Sequence, residues 1–289
     1  MKKIIALLLA VLMSVAVFAG CGGNGNAGSS SNSDKTDSSS SEQKADANSD
    51  WGFIQNKGSL KIGITYFEPM NYMKDGKLTG FETEFAEAVC AELGVKAEFQ
   101  EIEWDSKEVE LNSKTIDCIW NGLTITDERK NNMDISTPYM ANKQVMIVKA
   151  ENAEKYATAE GVKGAKVIAE AGSAGEEVAK GDEFFKEAKY TPADSQAKAL
   201  LEVKSGTSDI AIIDYVMSIG TLKADSDYAD LKIIESKRTF SPEEYGIAFR
   251  KNSPQTLEKV NAAIATLAQN GKLAEIADKY SLKEQIIAK

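Results

Sequence analysis

From Ser59 onward, short β-branched runs alternate with segments of helical period, and this alternation limits the architectures open to the chain. "SLKIGIT" at 59–65 alternates as a strand. "YFEPMNYMKDGKLTG" follows, with Pro69 and an Asp75-Gly76 turn. Phe81, Phe85, Val89 and Leu93 then recur every fourth residue before Gly94, which predicts a helix with one buried stripe and a glycine stop. "VKAEF" and "DCIW" read as further strands, and "KQVMIVKA" as the start of another. "GAKVIAEAGSAGEEVAK" reads as strand, turn, helix, and "DSQAKALLEVKSGTSDIAIIDYVMSIG" as helix, strand, helix. After "YGIAFRK" two helices are expected, one carrying Leu257, Val260, Ile264 and Leu267, the other Leu273, Ile276 and Tyr280. Such alternation predicts an α/β protein with a mostly parallel sheet. The same order of elements recurs in both halves, and the length from Trp51 to Lys289 suits two lobes rather than one core.

The first fifty residues are of another kind. Lys2 and Lys3 precede an apolar run from Ile4 to Phe18, then the small residues Ala19 and Gly20. This is the pattern of a cleaved export signal over residues 1–20, and the run is short for a membrane span. Residues 22–49 contain no Val, Ile, Leu, Met, Phe, Trp or Tyr. A segment of that composition cannot bury enough apolar surface to offset its ordering entropy, so residues 21–50 read as a flexible tether. Loss of Lys2 and Lys3 takes the formal charge from -10 to -12. An acidic surface of that size argues against a nucleic-acid partner, because phosphate binding needs a basic stripe. No histidine occurs anywhere, which removes Ser-His-Asp and Cys-His catalysis and every His-ligated metal site. No cofactor is expected. Cys90 and Cys118 sit in apolar contexts as buried thiols, with a disulfide the alternative.

In open α/β sheets the ligand lies beyond the carboxyl ends of the strands. Three segments place informative residues there. In "WNGLTITDERK", Thr126 is set to cap a helix with Asp127 and Glu128 in its first turn. Arg129 then stands within a turn of that helix start. It is either a bidentate carboxylate anchor or a surface charge paired with an acid such as Asp127 or Asp134. In "EAGSAGEE", Gly172 and Gly175 bracket Ser173 and Ala174, offering N–H groups at a helix N-terminus without the lysine of a phosphate loop. In "DIAIID", Asp214 ends an apolar strand and is either a cap for the next helix or a ligand for a cation. A cationic, N–H-rich site and one carboxylate on opposite lobes would suit an α-amino acid.

The segments "GKLTGFETEFAEAVCAELGV", "DCIWNGLTITDERK", "DISTPYM", "VIAEAGSAGEE", "SDIAIID" and "EEYGIAFRK" resemble, in order, the polar amino-acid binding proteins of ABC importers, solute-binding protein family 3. The resemblance runs from Trp51 to the C-terminus. It implies a type II periplasmic-binding fold of two α/β lobes joined by two crossing segments. Lobe 1 would hold residues 51–140 and 245–289, and lobe 2 residues 141–244. It further implies that Arg129 binds the α-carboxylate, helped by the Thr124 and Ala174 N–H groups. Asp214 would bind the α-ammonium, with the Thr124 hydroxyl and the Gly122 carbonyl. Phe67 and Trp104 would sandwich the side chain, and Asn121 and Ser173 would line the crevice. Glu170 stands where the family selects among side chains, and a carboxylate there favours a polar or basic L-amino acid. Ile64 stands where some glutamine and basic amino-acid binders carry aspartate, which counts against glutamine and weakens the case for a cationic side chain. "VFAGC" resembles a bacterial lipobox, with Phe18 departing from the usual aliphatic residue. That implies a lipidated Cys21 and a monomer anchored to the cell membrane, outside the cytoplasm, serving the transmembrane subunits of an ABC permease. Two alternatives stay open: an enzyme like cyclohexadienyl dehydratase on the same scaffold, with Glu170 as general acid, and the sensing module of a signalling system.

Overall fold

The computed structural model describes residues 49–234 and 240–289. The expected export signal, Cys21 and the expected tether up to residue 48 lie outside the described residues; the last two tether positions are corrected, because Ser49 accepts the Gly52 N–H and caps the helix Asp50–Lys57. Twelve strands are present among those described: β1 (Ser59–Ile64), β2 (Tyr72–Lys74), β3 (Lys77–Thr79), β4 (Lys96–Glu101), β5 (Cys118–Thr124), β6 (Met133–Ile135), β7 (Met140–Lys149), β8 (Lys166–Glu170), β9 (Lys189–Ala193), β10 (Ile210–Asp214), β11 (Leu231–Ile233) and β12 (Pro242–Arg250). The main sheet runs β4-β1-β5-β12-β7-β10-β8-β9, with β6 beside β12 and β11 beside β7. β2 and β3 form a separate hairpin.

The outer strands pair as the sequence predicts. β1 runs parallel to β4 and β5, and β8 runs parallel to β9 and β10. The centre corrects the expectation of a mostly parallel sheet. β7 and β12 are antiparallel to each other, β12 is antiparallel to β5, and β7 to β10. Both are long, and each divides its pairing between the two ends of the sheet. β12 meets β7 over Pro242–Tyr245 and β5 and β6 beyond. β7 meets β12 near Met140 and β10 and β11 beyond. These are the two segments that cross between the halves.

Local chemistry accounts for the helices that position the site. Phe81–Glu92 buries Phe81, Phe85 and Val89 on one face and ends before Gly94 at φ +69°. Its stripe packs under the C-terminal helices Pro254–Gln269 and Lys272–Lys279, which bury Val260, Ile264, Leu267, Leu273 and Ile276. Phe85 sets its ring edge-on to Trp120 of β5 at 5.1 Å, a favourable quadrupole geometry. Strand β5 is buried along its whole length, and so is β10. Cys90 and Cys118 are buried and not disulfide-bonded. Burial pushes both thiols above their usual range, Cys90 to about 12.

Candidate functional site

Thr126 accepts a hydrogen bond from the Arg129 N–H at 3.2 Å and so starts the six-residue helix Asp127–Asn132. That cap turns the Arg129 side chain inward, where it is only 5% exposed. Its guanidinium donates to the Thr124 carbonyl at 2.7 Å and, across the crevice, to the Gly172 carbonyl at 3.2 Å. The acids expected to hold it at the surface are engaged elsewhere: Asp127 with Lys130 at 3.6 Å and Asp134 with Lys251 at 3.4 Å. Arg129 is therefore a buried cation. Burial lowers its pKa, opposed by the negative charge of Glu177, Asp214 and Glu243.

Asp214 closes the opposite side. No side-chain hydrogen bond from it caps the helix Tyr215–Thr221, so the capping role does not apply. Its carboxylate accepts instead from Asn142 Nδ2 at 2.6 Å, from Gln144 Nε2 at 2.7 Å, and from Gln196 Nε2. Gln196 also accepts the Asp214 N–H at 2.9 Å. Burial raises the Asp214 pKa while the amides pull it back, so a fixed array of dipoles holds this carboxylate. Glu243 of β12 shares the array, accepting from Asn142 and Gln144 at 3.0 Å each and from the Thr124 hydroxyl at 3.2 Å. Burial and the neighbouring Asp214 push Glu243 up to about 7.

Between Arg129 and Asp214 lies a narrow void lined by Trp104, Asn121, Gly122, Thr124, Arg129, Glu170, Ser173, Ala174, Gln196 and Asp214. Nine of the ten sequence-predicted residues thus meet around one void. Phe67 is not among them. Its ring sits in the core, 2.8 Å from where a Cβ on Gly122 would fall. Gly122 has φ +57°, so both its conformation and the close ring require glycine. Ile64 is buried in β1.

The turn after β8 differs in detail from expectation. Ser173 caps the helix Ala174–Gly181 by accepting the Glu176 N–H at 3.1 Å. The Gly172 N–H is occupied, donating to Glu176 Oε2 at 2.8 Å. The N–H groups of Ala174 and Gly175 lie in the first turn, where a helix supplies no acceptor of its own. Gly172, at φ +69°, brings its carbonyl between Arg129 and Lys107.

Five residues at the site escape sequence reasoning: Lys107, Asn142, Gln144, Gln196 and Glu243. Asn142 and Gln144 carried a usable signal, two amides at i and i+2 on one face of a strand. Glu243 and Lys107 read as ordinary surface charge. Lys107 is nevertheless 6% exposed. Its ammonium donates to the Gly172 and Trp104 carbonyls at 3.0 and 3.2 Å and lies 4.8 Å from the Trp104 ring centroid. Burial and the Arg129 charge lower it to about 8.

Behind β5 a buried network fixes the backbone. Glu82 accepts from the Gly122 N–H at 2.8 Å, from Asn71 Nδ2 at 3.0 Å and from the Tyr139 hydroxyl. Asn71 also donates to Asn121 Oδ1 at 3.0 Å. Burial raises Glu82 to about 7 and Glu170 to about 8, from an ordinary value of 4.5. Together with Glu243, these carboxyls keep protons that the unfolded chain releases. Their stabilising contribution is complete below about pH 4.5 and is lost as pH climbs through 7 and 8. The ligand-free protein is therefore expected to melt several degrees higher at pH 5.5 than at pH 8. A scanning-calorimetry series with a flat or rising Tm over that window would contradict this.

Among the described residues, no group of three or more His, Cys, Asp or Glu side chains is placed to hold a metal ion, and no helix is long and apolar enough to cross a membrane. A curled, mixed α/β sheet with two crossing strands and a charged crevice between its halves defines a two-lobed solute-binding protein of type II. The profile of the bacterial extracellular solute-binding proteins, family 3, matches residues 60–283, and the chain belongs to that family. The L-cystine-binding protein TcyJ of Escherichia coli is 31% identical over 229 residues, covering 78% of this chain and 84% of that protein. The L-arginine-binding protein of Pseudomonas aeruginosa is 33% identical over 233 residues, covering 76% and 87%. The crystal structure of an ABC uptake transporter substrate-binding protein from Streptococcus pneumoniae with bound histidine superposes with a TM-score of 0.73. It shares 31% identity and covers 81% of this chain and 97% of that one.

Proposed function

We propose that the chain captures a polar or basic L-amino acid outside the cytoplasm and delivers it to the transmembrane subunits of an ABC importer. Arg129 grips the α-carboxylate, with N–H groups of Thr124 and Ala174. Asp214 receives the α-ammonium, aided by the Thr124 hydroxyl and the Gly122 carbonyl. Lobe 1 comprises residues 51–140 and 245–289, and lobe 2 residues 141–244. Cys21 carries the acyl chains that hold the protein, a monomer, at the membrane, with the segment up to residue 48 as its tether. It acts as a binding protein and not an enzyme.

One observation carries this reading. A buried guanidinium and a buried, amide-held carboxylate face one void from the two halves of the sheet. A zwitterion compensates both charges at once. Glu170, 4% exposed, gives the side-chain end of the void a carboxyl, which supports a polar or basic ligand. The cystine and arginine relatives are named for ligands of that kind. Closure follows from contacts that only the shut form makes, since a ligand shifts an equilibrium by its differential affinity alone.

A thermal-shift screen against the L-amino acids at millimolar concentration tests it. At a hundredfold excess over Kd a ligand stabilises by about 2.7 kcal/mol, which raises Tm by several degrees for a domain of this size. A positive response from polar or basic members is expected. No response from any L-amino acid would reject the proposal. For the anchor, Cys21→Ala should move the protein from the membrane fraction to the soluble fraction; persistence at the membrane would show that Cys21 is not the attachment point.

A further inference from the structure

The Thr124 hydroxyl and the Asp214 carboxylate come from opposite halves of the sheet, β5 and β10. Between them run the two crossing strands, β12 and β7. One row of polar side chains bridges all four. Glu243 of β12 stands directly opposite Asn142 of β7. Gln144, two residues further along β7, stands opposite Asp214 of β10. The Thr124 hydroxyl donates to Glu243 Oε2 at 3.2 Å. Asn142 Nδ2 donates to that same oxygen at 3.0 Å and to Asp214 Oδ1 at 2.6 Å. Gln144 Nε2 repeats the pattern at 3.0 and 2.7 Å.

Every donor in this row is spent. A primary amide has two N–H hydrogens, so Asn142 and Gln144 each give one to Asp214 and one to Glu243. A hydroxyl has one hydrogen and two lone pairs. With its hydrogen given to Glu243, the Thr124 hydroxyl meets an ammonium only as an acceptor. Thr124 and Asp214 line the void, and Glu243 stands behind them, outside its lining. Resting on the amino-acid reading above, we infer that Glu243 is the positioning residue of the ammonium site, holding the Thr124 hydroxyl and, through the shared amides, the Asp214 carboxylate as acceptors turned toward the ligand. Without it the Thr124 hydrogen is free to turn on the ammonium, and one hydrogen on each amide loses its acceptor. All these bonds fall on a single oxygen, Oε2, and burial beside Asp214 raises the carboxyl to about 7. A carboxamide supplies that one oxygen equally well, so the site takes hydrogen bonding rather than charge from Glu243.

Calorimetry on the full chain first selects the tightest binder among L-cystine, L-arginine, L-histidine and L-glutamine, then compares it with the same compound lacking its α-amino nitrogen. The ratio of the two affinities reads the ammonium contact alone. Glu243→Met should cut that ratio by about tenfold or more, the order of effect expected when buried donors lose their acceptor. Glu243→Gln should restore it to within about threefold of the unaltered protein, because the amide oxygen replaces Oε2. Thr124→Val removes the same hydroxyl from the other side and should cut the ratio comparably, which keeps the test decisive if the ligand-free Tm shows that Glu243→Met does not fold. An equal loss of both compounds in Glu243→Met overturns the inference, as does an unchanged ratio in Glu243→Met or in Thr124→Val. A ratio as low in Glu243→Gln as in Glu243→Met also overturns it, because Glu243 would then act as a counter-charge. All of these leave the amino-acid reading standing. A ratio close to unity in the unaltered protein, or no binding by any of the four amino acids, removes that reading and this inference with it.

Discussion

Arg129→Ala is expected to weaken amino-acid binding by about thirtyfold to several thousandfold, the span of roughly 2–5 kcal/mol for losing one partner of a desolvated charge pair. The argument rests on what remains after truncation. The Thr124 carbonyl loses its guanidinium donor and the Gly172 carbonyl one of its two, and the ligand carboxylate keeps only backbone N–H groups. Water can enter the cavity, so the loss should fall short of the full desolvation cost of a carboxylate. Arg129→Lys should recover only part of it, since an ammonium cannot bind Thr124, Gly172 and a carboxylate in one plane. Titration calorimetry reads the affinities, and the Tm of the ligand-free variants shows whether folding is intact. Unchanged affinity in Arg129→Ala would place the carboxylate elsewhere.

Asp214→Asn should produce a loss of similar size by a different route. The substitution keeps shape and removes charge, so the α-ammonium meets a neutral amide in a buried setting. The new amide nitrogen also confronts donors. Asn142, Gln144 and Gln196 all direct their NH2 groups at the carboxylate, and asparagine offers one oxygen where aspartate offered two. Reorganisation of those amides is expected to lower the ligand-free Tm by a few degrees as well, because an unsatisfied buried donor costs about 1–3 kcal/mol. Wild-type affinity in Asp214→Asn would show that Glu243, which shares the same amides, is the true counter-charge.

How much of this was legible in the sequence depended on whether a residue's local pattern exposed its partner. Arg129 and Asp214 could be read because strand-end position and cap chemistry are local. Thr126 caps where the sequence predicts, and Asp214 ends an apolar strand. The rejected alternative for each, a surface pair and a helix cap, required tertiary facts: that Asp127 and Asp134 find lysines, and that three amides from distant segments reach Asp214. The antiparallel centre of the sheet was not legible. Strand direction within "KQVMIVKA" and "EEYGIAFRK" depends on where the chain goes after lobe 2, and no residue pattern encodes that. Lys107 was missed for a related reason. In "SKEVEL" it reads as one charge among several, and only the approach of Gly172 from the far side buries it. Phe67 shows the converse. Its family position implies a ligand contact, and its ring lies against the void-lining Gly122, in the space that the missing Cβ leaves.

The clasp between Arg129 and Asp214 is tested most directly from the ligand's side. The preferred amino acid, its decarboxylated amine and its deaminated acid would be titrated into the unaltered protein by calorimetry. Each analogue leaves one buried charge unanswered, so both should bind at least thirtyfold more weakly than the parent. Retention of parental affinity by either analogue would contradict a site built to hold both ends of a zwitterion.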